Sequence, residues 1–325
     1  ATLNSDAQII RFIGEGNHVI TNTDINLIKK QHIRQNELLL LNEFDPTLIF
    51  FDDFSNNTIN DSKFYNNQND NSKSLEFYPA RCIRTKKECS LTVSNTIFFK
   101  GTSYHKGSFL LLESSNDISI FNSRFETCYD HENYAHAIFA NRGKISVQNS
   151  FFNNVLSNPL SQGSIIRCET SIFNFEGNKI TFNNNSIDCT CILLPNEGAF
   201  NITENEFTNF EMKQNGSVIF IEEPSDILFD ENEFKNIKGT GTSHSIYLYF
   251  NSMINKTITG IKLKNIHSAD GFLCIRTDDE IETNFTFYKL YFYNVRQNGG
   301  GAINVDNPEN KTYILIFDYC FFESN

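Results

Sequence analysis

The chain repeats one short word of apolar and polar positions. Two apolar residues stand at alternate positions, and a Phe follows five residues after the second. The word reads Leu91-Thr92-Val93 then Phe98, Ile118-Ser119-Ile120 then Phe125, and Ile145-Ser146-Val147 then Phe152. It returns as Phe200-Asn201-Ile202 then Phe207, Ile227-Leu228-Phe229 then Phe234, Phe285-Thr286-Phe287 then Phe292, and Ile314-Leu315-Ile316 then Phe321. With weaker copies included, the landmarks are Phe64, Phe98, Phe125, Phe152, Phe182, Phe207, Phe234, Leu263, Phe292 and Phe321, spaced 25 to 34 residues apart. A second apolar run keeps step with them, anchored at Phe109, Ala137, Ile165, Cys191, Val218 and Ile246. Alternation with a period of two marks strands that have one face in and one face out. The middle residue of the pair is often polar, as at Thr92, Ser119, Ser146, Asn174, Asn201 and Thr286.

A unit of this length holds about three short strands and has no helical periodicity. It cannot bury its apolar face alone and has to stack on its neighbours. A propeller blade needs ~40 or more residues, too many for this period. The pattern therefore predicts an all-β fold, a right-handed parallel β-helix of about ten coils of 25–30 residues, with Phe stacked on Phe along a narrow core. Asn stands two residues after the landmark in seven copies, at Asn66, Asn154, Asn184, Asn209, Asn236, Asn265 and Asn294. Asn tolerates the left-handed backbone region better than other side-chain-bearing residues. These positions predict a left-handed turn on each coil and a ladder of side-chain amides, with Asn209, Asn236 and Asn265 buried and adjacent.

The ends depart from the register. Thr23 to Glu37 has a helix-compatible pattern with Thr23 or Asp24 as N-cap. Residues 1–47 are therefore read as an N-terminal cap and 48–325 as the repeat domain. The Asn-rich stretch from Tyr65 to Pro79 reads as a solvated loop. The final copy stops a few residues before Asn325, which predicts an open parallel edge. Either further sequence follows in the natural protein, or a second copy stacks head to tail on that edge and builds a filament.

Composition narrows the class. The 325 residues are 20% charged and 39% hydrophobic, which excludes wholesale disorder. No run of 18 apolar residues offers a membrane-spanning helix, so no membrane insertion is expected. The 44 Asn fit one turn used many times. A formal net charge of −12 argues against nucleic acid as a partner. Residue 1 is Ala and not Met, so either a signal peptide has been removed or the sequence starts internally. Eight Cys fit an oxidising compartment, and the loop Cys82 to Cys89 predicts a local disulfide. No pair of Cys-x-x-Cys motifs exists, so no structural zinc site is expected.

Right-handed β-helices include pectin lyases and polygalacturonases, so an enzymatic site has to be tested. The polygalacturonase set of Asn-Thr-Asp, Asp-Asp, Gly-His-Gly and a basic triplet is incomplete here. Asn22-Thr23-Asp24 and Asp278-Asp279 are present, but Gly-His-Gly is absent. The seven histidines share no motif. Glu113, Glu169, Glu222 and Asp306 recur just after the second apolar strand, a pattern compatible with calcium, but Phe250 interrupts it between Glu222-Glu223 and Asp278-Asp279-Glu280. No catalytic, metal or cofactor residues are assigned. The sequons are Asn56, Asn60, Asn184, Asn201, Asn215, Asn255, Asn284 and Asn310, about as many as this composition gives by chance. By position, Asn201 faces out between Phe200 and Ile202. Asn215, Asn255, Asn284 and Asn310 are further glycosylation candidates, whereas Asn184 falls in the ladder register.

Gly300-Gly-Ala-Ile303 and the Phe-x-x-Asn words beginning at Phe54, Phe64, Phe151, Phe175, Phe182, Phe229 and Phe322 resemble the polymorphic membrane protein (Pmp) repeat family of surface β-helix proteins. Gly107-Ser, Gly163-Ser and Gly216-Ser open the same strand in other coils. The resemblance covers roughly residues 48 to 325, and the outer-membrane barrel of bacterial members is not present in the chain. It implies a secreted or cell-surface protein used for display, adhesion or coat formation, with partners among its own copies, host or matrix surface ligands, or glycans. The expected function is non-enzymatic and structural or adhesive. The alternative is a carbohydrate-active enzyme, a polysaccharide lyase or hydrolase of the pectin-lyase-like class.

Overall fold

The computed structural model describes residues 10–12, 15–28, 47–52, 54–67, 81–103, 107, 109–114, 116–130, 135–156, 164–170, 172–182, 186–187, 190–212, 217–240, 243–250, 254–268, 271–277, 283–297, 302–306 and 313–323. It is a right-handed parallel β-helix. Each coil contributes one strand to each of three faces, and every strand pair is parallel. The first face is a continuous sheet of eleven strands, from Ile10–Phe12 in coil 1 to Ile303–Asp306 in coil 11. The third face is equally long, from Asp24–Ile28 to Phe321–Glu323, with two additional two-residue strands beside it. The second face is divided. Coils 1 to 8 form one sheet of eight strands ending at Pro224–Asp230, and coils 9 to 11 form a separate sheet of three beginning at Ile254–Thr259.

Eleven coils, one more than expected, follow from residues assigned to the cap. Ile10–Phe12, Gly16–Thr21 and Asp24–Ile28 pair in register with coil 2 on all three faces. The expected helix from Thr23 is corrected over Asp24–Ile28, which is a strand because Ile25 enters the core opposite Phe64. Residues 29–46, like most of the Asn-rich stretch after Asn67, lie outside the described residues.

The core is built as the repeat implied. Phe64, Phe98, Phe125 and Phe152 stack as a column with centroid separations of 5.0, 4.9 and 4.7 Å. These spacings match the strand repeat of ~4.8 Å. Phe207 and Phe234 continue the column at 4.8 Å. Two landmarks need correction. Ile180, not Phe182, pairs with Phe152 and Phe207, and Phe182 instead packs on Phe210. Phe322, not Phe321, pairs with Phe292. On the first face Ser245, not Ile246, continues the Val218 row, since Ile219 pairs with Ile246. On the second face the polar middle residues point outward, as the pattern required.

The corner between the second and third faces is the most regular feature of the molecule. Eleven coils place a left-handed residue there: Asn22, Asp61, Asn95, Asn122, Asn149, Gly177, Glu204, Glu231, Gly260, Lys289 and Tyr319, with φ between 47° and 63°. The next residue points inward and is small and polar in coils 2 to 8: Ser62, Thr96, Ser123, Ser150, Asn178, Asn205 and Asn232, all at most 2% exposed. Each links coils. Asn178 and Asn205 donate backbone N–H to the Oδ1 of Asn205 and Asn232, at 2.9 and 3.2 Å. Their Nδ2 groups donate to the same oxygens at 3.1 and 2.9 Å. The second Nδ2 hydrogens reach the carbonyls of Val147 and Phe175 at 2.8 Å. A buried corner that would leave amide groups unpaired is thus satisfied coil by coil.

This ladder stops where the second face divides. Coils 9 and 10 carry Ile261 and Leu290 at the ladder position. Glu231 N–H, whose counterparts on other coils donate to the next coil's carbonyl, donates instead to Oδ1 of its neighbour Asp230 at 3.0 Å. Thr259 Oγ1 donates to the same carboxylate at 2.5 Å.

Candidate functional site

The second polar ladder lies on the outside. Asn209, Asn236, Asn265 and Asn294, on coils 7 to 10, adopt φ of 61°, 54°, 55° and 50°. Asn236 donates Nδ2–H to Asn209 Oδ1 at 3.1 Å, Asn265 to Asn236 at 3.3 Å, and Asn294 to Asn265 at 2.9 Å. The expected ladder is present and adjacent, but the expectation that Asn209, Asn236 and Asn265 are buried is corrected: all three are exposed. The reason is backbone geometry. A single left-handed residue breaks the alternation, so Lys235 and Asn236 both face out before Ile237 turns back into the core. The side chains of Asn154 and Asn184 lie outside the described residues.

The bend turns this row into the floor of a groove of about 570 Å³. A second outward row runs beside it: Glu211, Lys238, His267 and Arg296, paired coil to coil in register. Phe210 and Ile266 lie beneath, buried in the core, and fix the height of the floor. Successive coils therefore present one amide and one charged or imidazole group, repeated every ~4.8 Å along the axis. Among the described residues Lys238 and His267 make no ion pair. By contrast Lys235, on the other side of the Asn row, is held by Glu233 at 2.8 Å and Glu206 at 3.5 Å. The hydrogen bond that Lys235 donates to Glu233 raises its ammonium above the usual lysine range, against a lowering by burial.

The other sequence candidates are dispersed. Glu113 is bridged by Arg84 of the preceding coil at 2.7 Å, and Glu169 by Arg167 at 2.7 Å. Burial, and then the charge of Glu223, raise the Glu222 carboxyl. Phe250 is fully buried beside Tyr249, the register partner of Glu222, so the acidic row is interrupted as its sequence position indicated. Asp278, Asp279 and Glu280 lie outside the described residues. Among the described residues no three His, Cys, Asp or Glu converge as a metal ion would require.

Cys82 and Cys89 are buried free thiols, which corrects the expected disulfide. Cys82 is the second residue of the extended strand Arg81–Lys87, which carries the chain about 16 Å away from it before the turn to Cys89, whereas a disulfide tolerates a Cα separation of only ~7 Å. Burial pushes the Cys82 thiol well above its ordinary range, and burial followed by the charge of Glu169 does so for Cys168. Asn201 faces outward between buried Phe200 and Ile202, in register with Asn174. Asn255 and Asn284 pair in the three-stranded sheet, with side chains outside the described residues, as are Asn215 and Asn310 altogether.

The buried Ser62-to-Asn232 ladder and the Lys238–His267–Arg296 row were both missed from sequence. The first had a signal, a small polar residue two positions before each landmark. Placing one landmark at Phe182 instead of Ile180 hid it by moving Asn178 out of step. The second follows the ladder Asn by two positions on coils 7 to 10, but mixes acid, amine, imidazole and guanidinium and so shows no repeated residue type. No family model, curated protein or solved structure matches the chain.

Proposed function

We propose that this chain is a non-enzymatic, extracellular structural or adhesive β-helix, displayed at a surface in the manner of the Pmp-like repeat proteins that its Gly-Gly-Ala-Ile and Phe-x-x-Asn words resemble. The observation that supports this reading is the distribution of outward charge. The carboxylates that could act as acid and base are spread along the rod and held by cations on their own or the preceding coil: Glu113 by Arg84, Glu169 by Arg167, Glu206 by Lys179. A glycosidase needs two carboxyl groups about 5–10 Å apart across the scissile bond. The groove on the third face offers one, Glu211, at its end.

The alternative, a polysaccharide-cleaving enzyme, draws its support from His267 beside Lys238 in that groove, since either side chain has the chemistry of a general base. The two readings separate in one assay. Purified protein incubated with polygalacturonate and other acidic polysaccharides is expected to release neither reducing ends nor unsaturated products. Turnover that disappears in His267→Ala or Lys238→Ala would overturn the structural reading in favour of the enzyme.

A further inference from the structure

We propose that the groove on the third face, over coils 7 to 10, binds an extended acidic polysaccharide lying along the solenoid axis. The proposal names the ligand class for the adhesive reading above and rests on it for context, while its geometry stands alone. The argument begins with the hydrogen-bonding capacity of the ladder. Asn236 and Asn265 each donate one N–H to the preceding coil and accept one from the next. An amide has two N–H donors and two acceptor lone pairs. Each therefore keeps one donor and one acceptor, and both side chains are exposed. A row of donor–acceptor pairs repeated every ~4.8 Å suits a polyol chain whose hydroxyls repeat on a similar scale.

The parallel row supplies the charge. Lys238, His267 and Arg296 follow one another on coils 8 to 10, at the same spacing as the amides. This clustering stands out on a protein of net charge −12. A ligand with spaced anionic groups meets Lys238 on coil 8 and Arg296 on coil 10, with the His267 imidazole and the Asn amides between them, and Glu211 on coil 7 marks the end of the cationic stretch. The ladder is locked before binding by its left-handed backbone and its mutual hydrogen bonds, so little side-chain freedom remains to be lost. Other polyanions fit less well. Single-stranded nucleic acid takes its affinity from stacking on exposed aromatic faces, and the aromatic residue in the groove, Phe210, is 2% exposed beneath the floor.

The test measures binding of the full chain to polygalacturonate, dextran sulfate, uncharged dextran, polyglutamate and single-stranded DNA by a co-sedimentation or biolayer assay. Binding is expected to one or both acidic polysaccharides, weakening as salt is raised, with none to dextran. The carboxylated and sulfated arms show which anion is preferred. Lys238→Glu and Arg296→Glu are each expected to raise Kd about tenfold or more. Lys144→Glu, the same charge change on the second face, leaves Kd unchanged. Circular dichroism on each variant separates lost binding from lost fold, and Lys238→Gln gives a milder second variant of the same position. Equal binding to dextran, to polyglutamate or to DNA overturns the proposal, as does an equal effect of Lys144→Glu or no binding at all. Binding accompanied by cleavage would leave the groove assignment standing and overturn the non-enzymatic reading.

Discussion

Asn205 and Asn236 are one residue type on adjacent coils with opposite surroundings. Asn205 is 1% exposed and ties coils 6, 7 and 8 together through its Oδ1, its Nδ2 and its own N–H. Replacing it with Ala leaves several buried groups unpaired at about 1–3 kcal/mol each, so a loss on the order of 3 kcal/mol or more is expected. Asn205→Ser retains the oxygen that serves the equivalent corner at Ser123 and Ser150, and should recover part of it. Asn236→Ala costs less, about 1–2 kcal/mol, and most of that is the left-handed backbone, because its amide bonds are solvent-exposed. Asn236→Gly, which frees the backbone and still removes the amide, should be milder than Asn236→Ala. Urea denaturation of the four variants checks this, and equal losses at both positions would show that the buried and exposed ladders are energetically alike. The preference of Asn for a left-handed turn was readable from its recurrence in the sequence. Which of its two registers faces the core was not, because that depends on whether the following residue turns inward or outward after the bend.

Strands and corners show a second kind of dependence. The strand Ser217–Glu222 ends at Glu222, and Glu223 then takes φ of 52° at the corner before Pro224. Partial burial and the neighbouring Glu223 carboxylate raise the folded-state pKa of Glu222 above its ordinary value. The folded protein therefore binds this proton more tightly than the unfolded chain. The resulting penalty is absent below the ordinary carboxylate range, grows as pH rises through the window between the ordinary and the raised value, and stays constant above it. Glu222→Gln removes the penalty and is expected to stabilise the protein at neutral pH while changing little in strong acid. Urea melts at both pH values test the sign, and stabilisation confined to acid would contradict it. The alternating pattern of each strand was legible from the sequence, and so were most landmarks. The two landmark errors, at Phe182 and Phe321, share a cause. In each case a second apolar residue stands within two positions of the landmark, Phe182 after Ile180 and Phe321 before Phe322, and only pairing with the preceding coil shows which one continues the row.

At the scale of the whole molecule the junction between coils 8 and 9 is the weak point. The second face is divided there, the buried ladder ends at Asn232, and the Glu231 N–H turns back to Asp230 instead of reaching the next coil's carbonyl. Solenoid stability is approximately a sum of coil and interface contributions, so a poorer interface opens first. Amides of Thr283–Tyr288, in the middle of the three-stranded sheet, are expected to exchange with deuterium faster than those of Lys144–Gln148 on the same face. Gly260→Ala should widen that difference, because its φ of 63° is strained for Ala and the added Cβ would collide with the Glu231 backbone. Uniform protection along the rod would show that the divided sheet carries no energetic cost. By itself the sequence determined the parallel β-helix, its period and its stacked Phe core, because each is a local pattern repeated often enough to be read against its own copies. The tertiary structure decided the coil made by residues 10–28, the inward Ser/Thr/Asn ladder, the divided second face and the groove with its Lys238–His267–Arg296 row. Each of these depends on the register between coils, where a shift of one residue exchanges core for surface.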